Sequence, residues 1–68
     1  LNLKEIIMTE LINKLKEMKK TMTYRQLEDI LDFNARTIEN WIMERTKPHD
    51  NSTKLIRMAL EKYEQLIE

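Results

Sequence analysis

No glycine occurs anywhere in this 68-residue chain. Glycine takes up left-handed backbone without a steric penalty, so turns here fall to Asn, Asp, Pro or plain chain geometry. The same absence discourages glycine-rich phosphate loops, whose backbone must approach an anion closely. Valine is missing too, and no apolar/polar alternation persists, so strand signals are lacking. What remains is an all-α class.

Helical spacing divides the chain into four segments. Leu3, Ile6, Ile7, Leu11, Leu15 and Met18 recur at steps of three and four, which predicts a helix over 3–20 with these residues on its buried face. Lys19 and Lys20 suit the negative end of its dipole. Thr23, followed three residues later by Gln26, reads as a capping box and opens a short helix over 24–31 that buries Leu27, Ile30 and Leu31. After Asp32-Phe33, Asn34 is a good cap for a helix over about 35–44 that buries Ile38, Trp41 and Ile42. The polar stretch 45–51 holds the only proline and is a loop. Asn51 or Ser52 then caps a final helix facing inward with Leu55, Ile56, Ala59, Leu60, Tyr63, Leu66 and Ile67. The expected fold is one domain over 1–68, a compact bundle of about four helices.

A domain of roughly 70 residues is marginal without a staple, and oligomerisation is one common remedy. With no cysteine, disulfides cannot supply it; a reducing compartment fits, and a cytoplasmic location is expected. No apolar run approaches the ~18 residues of a membrane span, so no membrane partner is expected. Leu1 is not an initiator, which keeps open a longer parent protein.

Catalysis and metal binding find little support. With one histidine and no cysteine, no Ser-His-Asp or Cys-His set is assembled from these residues. His49 stands beside Asp50 without a second His or Cys, so it is read as a loop residue, with no metal, no cofactor and no enzyme expected. The five methionines are read as helix-face fillers.

The informative segment is 23–48. Its second helix is held by an apolar stripe, Ile38 and Trp41, and carries Asn34, Ala35, Arg36, Glu39 and Asn40 on its other faces. Arg36 and Asn40 share a face at i, i+4. Guanidinium and amide groups are those that pair bidentately with base edges in the DNA major groove, Arg with guanine and Asn with adenine. Trp41 is read as a core anchor, and Glu39 as a surface carboxylate that pairs Arg36 or excludes wrong bases.

The run TYRQLEDILDFNARTIENWIMERTKP resembles the helix-turn-helix of the Cro/cI-type (lambda-repressor-like) DNA-binding family. Thr23-Tyr24 opens the first helix as in that family. Leu27, Leu31, Phe33, the pair Thr37-Ile38, Trp41 and Pro48 match it in type and spacing. The likeness covers about the middle third of the chain and the helix after it. Three positions depart from the pattern: Glu28 stands where the family has a small Ala, and Asp32 and Glu44 stand where it has Gly. Asp tolerates a left-handed turn at modest cost. A buried lone carboxylate is expensive, so Glu28 is expected to snorkel outward or to pair with a cation.

The resemblance implies a sequence-specific transcriptional regulator, such as a small phage repressor, an antitoxin-like or an anti-CRISPR-associated regulator. Ala35, Arg36, Thr37, Glu39 and Asn40 would then reach bases. Tyr24, Arg25, Asn34, Arg45 and Lys47 would meet the DNA backbone, Tyr24 being equally readable as packing over its helix start. Helices after the helix-turn-helix often serve pairing in this family, which assigns Tyr63, Leu66 and Ile67 to a homodimer interface or, alternatively, to closing the monomer core. Two other readings remain: a protein-interaction module such as an antitoxin or inhibitor with a protein partner, and the DNA-binding segment of a transposase or replication protein.

The formal charge is zero, with twelve cations against twelve anions. It is uneven along the chain. Residues 1–20 carry five cations against three anions and 35–47 three against two, whereas 21–34 carry one against three and 48–68 three against four. A basic rim of Lys19, Lys20, Arg25, Arg36, Arg45 and Lys47 follows. It is thin, so affinity for arbitrary DNA should be weak and easily removed by salt.

Overall fold

Three of the helices begin where a short polar side chain accepts an amide that the helix itself leaves unpaired. The computed structural model of the chain describes residues 2–67. Asn2 caps α1 (Leu3–Lys19) by accepting the Glu5 amide at 2.8 Å. Thr23 caps α2 (Tyr24–Leu31) with the reciprocal pair expected of a capping box: Gln26 N–H donates to Thr23 Oγ1 at 3.1 Å, and Thr23 N–H to Gln26 Oε1 at 2.8 Å. Asn34 caps α3 (Ala35–Ile42), its Oδ1 accepting the Arg36 amide at 2.8 Å.

The fourth start differs from expectation. Helix α4 (Asp50–Ile67) begins before Asn51 and Ser52, which lie in its first turn. The His49 carbonyl opens the ladder, accepting both the Thr53 amide at 2.8 Å and the Thr53 hydroxyl at 3.0 Å. Asp50 in that first turn suits the positive end of the dipole.

The four helices form an all-α globule with a radius of gyration of 11.3 Å. Each contributes two residues to the core: Leu11 and Leu15, Leu27 and Leu31, Ile38 and Trp41, Ile56 and Leu60. Helix α2 packs on α3 and α4, and α1 packs on the same two. Pro48, in the loop before α4, is buried as well.

The core is narrower than apolar spacing predicts. Leu3 and Ile6 at the head of α1 are exposed, as are Leu55, Leu66 and Ile67 on α4, while Ile30, Ile42, Ala59 and Tyr63 are half-buried. Periodicity identifies a helix face, but the neighbouring helices do not extend over all of it. Ion pairs join the exterior: Lys4 to Asp50, Lys14 to Glu64 and Lys16 to Glu44. All are solvent-exposed, so each contributes no more than about 1 kcal/mol.

Candidate nucleic-acid interface

Helix α3 is fixed from behind and at both ends. Ile38 is fully buried and Trp41 nearly so, and the Trp41 ring meets Phe33 of the preceding turn edge-on, with centroids 5.0 Å apart and planes at 69°. The turn from α2 occupies 32–34, and Asp32 at its head is left-handed, φ 59° and ψ 38°, with its N–H donating to the Glu28 carbonyl at 2.8 Å. The carboxylate of Glu28 does not snorkel away, and it finds no cation among the described residues. Its Oε2 accepts the Ala35 amide at 2.9 Å, so the charge lies against the positive end of α3. Two of the amides unpaired at this helix start are thereby satisfied, by Glu28 and by Asn34.

The other end closes earlier than apolar spacing predicts, at Ile42, because Glu44 turns left-handed at φ 60°. Its N–H donates to the Trp41 carbonyl at 3.1 Å and the next amide, Arg45, to the Asn40 carbonyl at 2.9 Å, a left-handed C-terminal cap. Asp32 and Glu44 are the two non-glycine residues with positive φ among the described residues. They bracket α3.

What α3 turns outward is polar. Arg36 is exposed, while Ala35, Thr37, Glu39 and Asn40 are half-buried. No ion pair joins Arg36 to Glu39, so the guanidinium keeps its donors free of a carboxylate among the described residues. Asn40 is engaged instead: Arg45 Nη1 donates to its Oδ1 at 3.2 Å. An amide oxygen has two acceptor positions and the amide nitrogen two donors, so the contact orients Asn40 and leaves capacity for a bidentate partner.

The flanking residues divide. Arg25, Arg45 and Lys47 are exposed and form no ion pair among the described residues. Tyr24 is half-buried, packed against the core, with Lys19 Nζ 4.7 Å from its ring centroid. Asn34 is exposed, but its Oδ1 already holds the Arg36 amide. Lys20 pairs with Glu17 at 3.2 Å. Without Lys20, and with Lys19 over Tyr24, Arg25, Arg36, Arg45 and Lys47 are the rim cations left with no ion pair among the described residues.

Tyr63 and Leu66 line a groove between α2 and α4, while Ile67 is exposed and does not. His49 is an exposed loop residue. Among the described residues no group of three His, Cys, Asp or Glu side chains gathers as a metal site, and no helix is long and apolar enough to cross a membrane.

Two contacts escape a reading of the chain alone, Glu28 to Ala35 and Arg45 to Asn40. The second depends on the left-handed turn at Glu44, which returns the chain toward Asn40. No family model, curated protein or solved structure matches the chain.

Proposed function

We propose that this chain is a sequence-specific DNA-binding transcriptional regulator, a repressor or autoregulator, that reads the major groove with α3. On this reading α2, the turn at Asp32 and α3 act as a lambda-repressor-like helix-turn-helix. The observation that carries it is the division of α3: Ile38 and Trp41 hold one side in the core, while Arg36, Glu39 and Asn40 lie on the side free of it. A rigid, doubly capped helix presenting a guanidinium and an amide one turn apart suits bidentate pairing with guanine and adenine. Arg25, Arg45 and Lys47 supply phosphate contacts around it.

Zero net charge bears on the mode of binding. Few unpaired cations give little sequence-independent affinity, so useful occupancy requires base readout and two half-sites read together. A palindromic operator with half-sites about one helical turn, roughly 10 bp, apart fits a two-fold protein. Selection of bound duplexes from a random pool, repeated over a salt series, tests the reading. A recovered palindrome supports it; no enrichment at low salt overturns it and favours a protein-interaction module.

A further inference from the structure

We propose that the groove between the opening turns of α1 and α4 binds a small organic anion with an apolar body, of the class of a medium-chain carboxylate. Its floor is apolar: Ile7 and Met8 of α1 are half-buried there, and Pro48 of the loop before α4 is buried. The groove measures about 590 Å³. That lies within the range of small-ligand sites, roughly 300–1,000 Å³.

Charge sets the sign of the occupant. Lys47, Lys54 and Arg57 edge the groove, all exposed and without an ion pair among the described residues. Lys54 and Arg57 share a face of α4 at i, i+3. The other charges of the lining do not cancel them. Lys4 and Asp50 hold each other at 3.0 Å, which leaves Glu5 as the one unpaired carboxylate of the lining among the described residues. Three free cations therefore stand against one free anion, on a chain whose total charge is zero.

Other occupants satisfy only part of this surface. A neutral apolar molecule would cover the cations without pairing them, at a cost in desolvation. A bare anion, or the phosphate backbone of a duplex, would pair with the cations and leave Ile7 and Met8 in water. An apolar body with an anionic head meets both demands. No residue of α3 lines the groove, so the site stands independently of the DNA reading. Lys47 alone is common to both, as a proposed phosphate contact. A filled groove then competes with the duplex for Lys47, and that consequence rests on the DNA reading.

The test is a nuclear magnetic resonance titration of the nitrogen-labelled full chain with octanoate, and it uses no DNA. Saturable shifts are expected at the amides of Ile7, Met8, Thr53 and Lys54, which line the groove. Affinity should rise roughly threefold per added methylene from butyrate to octanoate. Lys54→Glu and Arg57→Glu should each weaken octanoate roughly tenfold or more. Both side chains are exposed, so the core is untouched, and circular dichroism checks that each variant stays helical. No saturation into the millimolar range, or shifts centred elsewhere, overturns the proposal. So does equal binding of octyltrimethylammonium, which would make the surface merely apolar, or of inorganic phosphate, which would make it merely cationic. Charge-reversed variants that bind octanoate as the parent does overturn it as well.

Discussion

Glu28 Oε2 accepts the Ala35 amide at 2.9 Å, so a carboxylate on α2 closes the first turn of α3. This joins two helices through a charge placed at a helix start, where it is favourable. Loss of a comparable cap costs about 1 kcal/mol. Glu28→Ala is therefore expected to lower the thermal midpoint. Glu28→Gln should lose less, because its amide oxygen still accepts. Melts followed by far-ultraviolet circular dichroism decide it: an unchanged midpoint for the alanine variant would mean that the bond contributes nothing.

Left-handed backbone disfavours a residue with a Cβ by roughly 1–2 kcal/mol. Glu44→Gly relieves that penalty, against the loss of the exposed ion pair to Lys16 and the greater freedom of glycine in the unfolded chain. A rise in stability of about 1 kcal/mol is expected in urea titrations. A fall would show that the backbone relief at Glu44 is smaller than the cost of the lost ion pair and of glycine's unfolded-state freedom.

Trp41 joins the core and the turn through its contact with Phe33. Truncating such a ring costs about 3–5 kcal/mol, a large share of what a small domain has. Trp41→Ala should be largely unfolded or melt far below the parent chain. Retention of the parent's melting curve would remove Trp41 as the anchor.

Arg36 and Lys47 should separate base reading from phosphate grip once an operator is in hand. Arg36→Ala is expected to cost about 1–3 kcal/mol and to relax preference at one base position. Lys47→Ala should weaken all duplexes alike and reduce the salt slope by about one. Quantitative binding to single-base operator variants at several salt concentrations distinguishes them. If Arg36→Ala leaves the base preference intact, α3 is not the reading element.

Arg45→Ala tests the hold on Asn40. With the Oδ1 contact gone, preference at the position read by Asn40 should broaden, in addition to any uniform loss of affinity. Uniform loss alone would make Arg45 a phosphate contact and nothing more.

Much of the fold was legible because its signals are local. Thr23 with Gln26 announces a helix start, the spacing of Leu11 with Leu15 announces a buried stripe, and Asp32 announces a left-handed turn. The exposure of Leu3, Ile6, Leu55 and Leu66 was not, since it depends on where neighbouring helices end. Glu28 was misread for the same reason: its partner is an amide seven residues on, brought near only by the crossing of α2 and α3. Of the candidate interface, the outward position of Arg36 followed from the stripe behind it, whereas the hold of Arg45 on Asn40 required the geometry of the helix end.

The even division of the core, two buried residues from every helix, bears on how the molecule opens. Every helix meets at least two others, and none keeps an apolar centre of its own. Releasing any one exposes the anchors of its neighbours, so separable unfolding units have no basis here. The slowest-exchanging amides of α1, α2, α3 and α4 should therefore share one opening free energy, with Leu15, Leu27, Ile38 and Ile56 losing protection together.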